Sequence, residues 1–252
     1  MLKKSLLSLL RGAGGLAVFI LLWEFIVWFF ELPRYMLPGP FAVWDALITQ
    51  WSYLLYHASI TAGETLLGFV FGTLAGIYLA LLLSWSSLIR RLLLPSITAS
   101  QSFPAFAIAP LLVLWFGFGL ASKVIMAVFV IFFSITSTFY DGLRRTDTAL
   151  LDLGHLYRLN RRQMLWYIRI PAALPALSSG LRIAAVFAPI GAIVGEWVGA
   201  KGGLAFIMLQ ANARMQTPTM FAALILLAAM VLILRALVEY ATSKMVYWQQ
   251  EQ

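Results

Sequence analysis

The sequence predicts an all-α membrane protein of six transmembrane helices joined by one long basic loop. Three observations carry this. Apolar residues make up 62% of the 252 positions, charged residues only 11%, and the mean hydropathy is +0.90. An ordinary soluble domain has roughly 45–50% apolar and about 25% charged residues. The apolar positions gather in six continuous runs near the roughly 20 residues that a helix needs to cross the hydrocarbon core. Laid across a membrane, these runs put 14 of the 18 basic residues on one side. The composition excludes a soluble enzyme, a disordered chain and a nucleic-acid module. The net charge of +8 belongs to membrane-flanking loops, not to nucleic-acid binding. With no cysteine there is no disulfide framework, thiolate metal site or cysteine nucleophile.

The first expected span is 13–30, interrupted only by Glu24 and too long for a cleaved signal peptide. The others are 59–83, 92–118, 124–140, 174–194 and 220–237. The third contains Pro95, Pro104 and Pro110, and breaks are expected at Pro104 and Pro110, since proline removes a helical hydrogen bond. Long continuous apolar runs do not fit the ten-residue alternation of a membrane barrel. With both termini inside, the cytoplasmic side holds Lys3, Lys4, Arg11, Arg90, Arg91, Arg144, Arg145, the loop arginines and Lys244, with Arg182 and Arg235 near it. Only Arg34, Lys123, Lys201 and Arg214 fall outside, which fixes the expected orientation. Glycines recur every fourth position at Gly68, Gly72, Gly76 and at Gly191, Gly195, Gly199, making faces where a second backbone can approach. They serve either packing within one chain or a seam between copies.

The loop from Asp141 to Ile170 is the most informative segment. Thr146 or Asp147 can cap a short helix bearing Leu150, Leu153 and Tyr157 on one face. Asn160, with Gln163 three residues on, starts a second helix as a capping box. Pro171 and Pro175 lie at its end. Two basic amphipathic helices at an angle suit either a lipid surface or a partner's groove, and composition does not separate the two.

These residues resemble the EAA loop of ABC-importer permeases. Asp152 matches the acidic position, Gly154 a small position, and Ile170-Pro-Ala-Ala-Leu-Pro175 the closing LPxALP element. Leu37-Pro-Gly-Pro40 resembles the LPSP element after the first span. The run Phe103 to Gly117 resembles the family's IPPLALAPLLILWFG block, and Gly180-Leu-Arg-Ile-Ala184 and Val194-Gly-Glu196 resemble its GLRIA and VAE blocks. The likeness covers nearly the whole chain. It points to the branch serving taurine, aliphatic sulfonates, nitrate, bicarbonate and pyrimidine vitamin precursors. One departure is Arg158, where the family usually has glycine. Either the turn differs, or a neighbour such as Asn160 absorbs the strain.

The resemblance implies a type I importer permease in the bacterial inner membrane. It works as two copies with two cytoplasmic ATPase subunits and a periplasmic or lipid-anchored binding protein, in contact with membrane lipid. The chain itself binds no cofactor, and ATP and Mg belong to the ATPase. No G-x-x-x-x-G-K-[ST] phosphate loop occurs in this sequence, in keeping with that division. The implied coupling element comprises Leu150, Asp152, Leu153, Gly154, His155, Tyr157 and Arg158. The implied path between the copies is lined by Gln101, Ser102, Phe103, Pro104, Ser134, Arg182 and Glu196. Helical Ser and Thr side chains also bond their own backbone, so Ser134, Thr136 and Ser137 have a structural reading too. Arg182 and Glu196 stand roughly 21 Å apart along one helix, so they do not pair in one chain, and Glu196 reads as an outer gate or docking residue. Glu24 and Glu64 read as packing partners. Gly202-Gly203 precedes a short outer helix, Leu204 to Arg214, with Met208 and Met215 as packing residues. No catalytic or metal-binding arrangement stands out, and His57 and His155 fall on opposite sides. The blocks Gly195 to Leu204 and Gln210 to Thr217 are similar to those of permeases for hydroxymethylpyrimidine and related thiamine precursors. A stand-alone channel or secondary transporter is the competing class. It would predict internal repeats and a deep ion-coupling carboxylate, and would leave the amphipathic loop unexplained.

Overall fold

A computed structural model describes residues 2–246 and 248. Among these residues all regular structure is helical. The side chains of residues 2–13 and 16 fall outside the description, and with them Lys3, Lys4, Arg11 and the start of the first expected span. The helices are α1 (Leu2–Phe29), α2 (Pro40–Thr49), α3 (Trp51–Trp85), α4 (Ser87–Ser100), α5 (Ala105–Phe116), α6 (Leu120–Arg144), α7 (Thr148–Leu156), α8 (Arg161–Gln163), α9 (Ile170–Gly199), α10 (Leu204–Ala213) and α11 (Thr217–Met245). A π-helical stretch, Met164–Arg169, joins α8 to α9.

Four helices among the described residues are long and apolar enough to cross a membrane: α3, α6, the 39-residue rod Arg161–Gly199 and α11. The pair α4 and α5 makes a further crossing or a re-entrant loop, bent by 102°. The third expected span is broken, as its Pro104 predicts. The break falls at Gln101 to Pro104, with Pro104 as the N-cap of α5. Pro110, expected to break the helix, lies inside α5. The described apolar part of α1, Ala17–Phe29, is shorter than a full crossing.

A second difference concerns the loop. Its second helix and the fifth expected span are one continuous rod, entered through the capping box of Asn160 and Gln163. Pro171 has no N–H and its ring crowds the carbonyl four residues back. The wider π register immediately upstream is the kind of local adjustment that lets such a helix continue.

The core is a three-layer stack with α6 between α3 and α9. Ile131, Ile135, Phe139 and Leu143 of α6 pack with Ala80 and Leu83 of α3 and with Ala173, Leu177, Ala184 and Ala188 of α9. Both glycine runs pack within this one chain, on α6 except for Gly199, which stands against Phe118 just ahead of it. A Cβ built on Gly72 would stand 2.6 Å from Ile131 Cγ1, one on Gly76 2.8 Å from Ile135 Cβ, and one on Gly191 2.6 Å from Ala127 Cα. Close backbone approach yields dispersion contacts, which apolar burial alone does not supply between helices in lipid. At one end of the stack α2, the start of α3, α10 and the start of α11 share a second apolar cluster around Val43, Leu54, Leu204, Ile207 and Ala222. The loop bearing α7 lies at the other end.

Candidate functional site

The loop end is built as its residues predict. Asp147 caps α7 by accepting from the Ala149 N–H at 2.9 Å. Asn160 Oδ1 accepts from the Gln163 N–H, and Gln163 Oε1 accepts from the Asn160 N–H, both at 2.9 Å. The inner side of α7 is pinned by Gly154, where a Cβ would stand 2.6 Å from Met164 Cε and 2.7 Å from Ile168 Cδ1. The rest of α7 is bare: Leu150, Asp152 and Leu153 are exposed, and Leu156 is 78% and Tyr157 73% exposed, while His155, also exposed, lines a cavity against the end of α3. Three exposed leucines on a nine-residue helix, with Tyr157 at its C-cap, form a surface that water disfavours. Covering each fully would yield about 1.5–3 kcal/mol.

The turn after α7 settles the question raised by Arg158. Arg158 itself takes the left-handed conformation, φ 52°, while Asn160 is extended at φ −70°. The Leu159 N–H donates to Gly154 O at 3.0 Å and the Arg158 N–H to His155 O at 2.9 Å, a Schellman closure with arginine at the usual glycine position. Neither expected alternative holds: the turn is kept, and Arg158 bears the strain itself. Replacing it by glycine, Arg158→Gly, is expected to stabilise the protein by about 1 kcal/mol. Thermal unfolding in detergent should rise by about 2–4 °C; an unchanged or lower midpoint would mean the arginine is compensated.

At the opposite end, Glu196 lies in a buried polar cluster and is 1% exposed. The N-terminus of α10 presents N–H groups with no helical partner. Three side chains take them. His57 Nδ1 accepts from Gly203 N at 2.9 Å, Thr61 Oγ1 from Leu204 N at 2.8 Å, and Glu196 Oε2 from Ala205 N at 2.7 Å. Thr61 donates in turn to Glu196 Oε1 at 2.6 Å. Lys123, 2% exposed, donates to the carbonyls of Phe118, Gly119 and Gly199 and so closes the C-terminus of α9. Glu64 packs here at 4% exposure, with one carboxyl oxygen lacking a hydrogen-bond partner. Gly203 is required twice over, by φ 112° and because a Cβ would collide with the Glu196 carboxyl.

In this fold Glu196, expected from the sequence as an outer gate or docking residue, is a buried cap of the α10 N-terminus. Glu196→Ala is expected to cost about 2–4 kcal/mol, from a lost cap and unsatisfied buried donors. Hydrogen exchange should rise over residues 200–216, whereas loss of transport with unchanged exchange would return Glu196 to the path. Glu24, unlike Glu64, is exposed in the single chain. Met208 packs in the α2–α11 cluster, but Met215, expected to pack, is exposed at φ 54° in the turn after α10.

The other expected path residues are spread out. Gln101, Ser102, Phe103 and Pro104 lie together, exposed, at the 102° bend. Ser134 is half-buried in α6, where Thr138 Oγ1 donates to its carbonyl at 2.8 Å. Thr136 likewise donates to Phe132 O at 2.7 Å, the structural reading of helical hydroxyls. Arg182 is half-buried and its Nε donates to Thr242 Oγ1 of α11 at 3.2 Å. Sequence reasoning missed that His57, Thr61 and Glu64 act with Lys123 and Glu196 as one cluster. Its signal was present: positions 57, 61 and 64 fall on one face of an apolar helix.

Comparison with known proteins accords with this arrangement. Residues 72–247 match the family described as binding-protein-dependent transport system inner membrane component. A probable ABC transporter permease protein of Haemophilus influenzae is 45% identical over 96% of this chain and 98% of its own length. The formylaminopyrimidine transport permease protein of Halalkalibacterium halodurans is 32% identical over 92% and 93%, and the riboflavin transport system permease protein of Chloroflexus aurantiacus 32% over 93% and 88%. Among solved structures, the inward-facing MetNI methionine ABC transporter superposes with TM-score 0.68 at 20% identity, covering 77% of this chain and 97% of that one. That likeness speaks to fold alone, while the family match spans most of the sequence. This chain belongs to the family of binding-protein-dependent transport system inner membrane components.

Proposed function

We propose that this chain, the permease subunit of an ABC importer, carries a hydroxymethylpyrimidine or related thiamine precursor across the inner membrane. As in its family, ATP is hydrolysed on a separate subunit and solute is delivered by a binding protein. The observation that carries the substrate is the full-length likeness to a formylaminopyrimidine permease, joined to the outer blocks Gly195 to Leu204 and Gln210 to Thr217. In this reading α7 is the coupling helix, seated by Leu150, Leu153 and Tyr157 in an ATPase groove. The path runs between two copies, past the Gln101 to Pro104 bend. The unpartnered apolar surface of α5, including Leu114 and Trp115, supports such a second copy.

The test is uptake into proteoliposomes holding the assembled importer and its binding protein. Hydroxymethylpyrimidine, taurine, an aliphatic sulfonate, nitrate and riboflavin are each offered. ATP-dependent accumulation of the pyrimidine is expected. Accumulation of another solute without it would replace the substrate and leave the permease role standing. Orientation is tested separately with a cysteine at Lys201, which is exposed beyond α9 in a chain with no native cysteine. It should react from outside intact cells, and labelling only from the cytoplasm would invert the topology.

A further inference from the structure

We infer that the loop end of the permease holds a binding site for the phosphate of a membrane phospholipid, set between the end of α3 and the coupling loop. A cavity of about 370 Å³ lies there, lined by Ser84, Trp85, His155, Arg161, Met164 and Arg169 among others. That volume falls in the range of small-ligand sites. Two arginines line it and no carboxylate does.

Arg161 is fixed in place. Its guanidinium carbon lies 5.4 Å from the centre of the Trp85 ring, and its Nη2 donates to the Trp85 carbonyl at the end of α3. This leaves the rest of a planar, permanently charged fork preset. Arg169 gives the second observation. Its Nε is buried and has no hydrogen-bond partner. The rest of the half-buried side chain lines the same cavity as Arg161, so two cations face it with no carboxylate to balance them. Two guanidinium groups on one cavity match the oxygens of a phosphate, which arginine recognises in paired hydrogen bonds.

The depth of the site selects a lipid as the source of that phosphate. The apolar run of α3 ends at Trp85, and α4 starts two residues later with Arg90 and Arg91 in its opening turns. Tryptophan at the end of an apolar span sits at headgroup level, and a half-exposed indole stacked on an arginine fits that layer. Of α7 only His155 lines the cavity, and Leu150, Asp152, Leu153, Leu156 and Tyr157 do not, so a bound headgroup would brace the α7–α8 turn and leave those side chains free. That the leaflet is cytoplasmic rests on the orientation proposed above, but the binding itself does not.

The test uses the assembled importer in detergent and native mass spectrometry. Three probes are added in turn: phosphatidylglycerol, diacylglycerol with the same chains, and inorganic phosphate. Retention of phosphatidylglycerol on each permease copy is expected, with little retention of diacylglycerol and no displacement by excess inorganic phosphate. Arg169→Gln should weaken retention about tenfold or more, as expected for a lost hydrogen bond between charged groups, whereas Arg91→Gln, outside the cavity, should leave it nearly unchanged. Should Arg169→Gln fail to assemble, Arg161→Lys, which keeps charge but gives up the fork, should still lower retention severalfold. The site is overturned if these variants hold phosphatidylglycerol like the parent, if diacylglycerol binds as well, or if inorganic phosphate takes the lipid's place. Loss of lipid with normal solute-stimulated ATPase would leave the permease assignment intact, so the two readings fail separately.

Discussion

An importer assembled with an Asp152→Lys permease is expected to reach the membrane with its spans intact and to lose its ATPase. Asp152 is exposed on the bare side of α7, so reversing its charge disturbs nothing inside this chain. The inner side of α7 stays held by Gly154 against Met164 and Ile168, and its N-terminus by Asp147. The effect therefore falls on whatever covers the exposed apolar face. Truncating or reversing one partner of a desolvated interfacial charge pair costs about 2–5 kcal/mol, roughly thirtyfold to several-thousandfold in affinity. Purification of the tagged permease should recover less ATPase, and ATP-driven uptake should stop. Full ATPase stoichiometry with solute-stimulated hydrolysis would mean that α7 is not the coupling element. A second change, Leu153→Asp, should act in the same direction by wetting the apolar face. It distinguishes docking through that face from a contact made by Asp152 alone.

The second large effect is expected at Ala127, which sits between the two glycine runs. A Cβ on Gly68 would overlap the Ala127 Cβ, whereas a Cβ on Gly191 would meet the Ala127 backbone, 2.6 Å from Cα and 3.2 Å from N. Gly68→Ala and Gly191→Ala should each destabilise the stack by about 1–3 kcal/mol or more, because well-packed helices cannot absorb a methyl without separating. Their rescue should differ. Ala127→Gly, itself worth about 1 kcal/mol of lost helix preference, removes the atom that Gly68→Ala strikes. It cannot move the backbone that Gly191→Ala strikes. The double variant Gly68→Ala/Ala127→Gly should regain folded yield and thermal midpoint in detergent, while Gly191→Ala/Ala127→Gly should not. Equal rescue of both, or of neither, would show that contacts other than these hold α3 and α9 against α6.

Local chemistry was legible in the sequence wherever it was decided by near neighbours. Asp147 and the Asn160–Gln163 pair start helices because their side chains reach N–H groups two or three residues away. The apolar face of α7 follows from spacing, and the apolar runs at 59–83 and 220–237 fall within α3 and α11. The break at Pro104 was also legible; what the runs did not show was that the loop helix continues into the fifth run and that Pro110 leaves its helix unbroken. The loop helix and the fifth run share one rod because the π turn ahead of Pro171 accommodates a residue that pattern reading treats as a stop. The third run folds back at Gln101 to Pro104, while Pro110 stays helical.

The family and the membrane class were thus fixed by the order of residues alone, since composition, run length and the quoted motifs are properties of the chain itself. The roles of single polar residues were not. Glu196 looked like a mouth residue because an ionisable group near the end of a span is costly unless used. Only the fold brings Thr61, 135 positions away, to 2.6 Å from it and sets the N-terminus of α10 against its carboxylate. The same holds for Arg161, joined to Trp85 across 76 positions, and for the glycine runs, whose partner, Gly199 aside, is α6 of the same chain. Sequence spacing states which residues share a helix face. Which face meets which, and hence whether a charge is a cap, a gate or half of an anion site, is decided by how the helices cross.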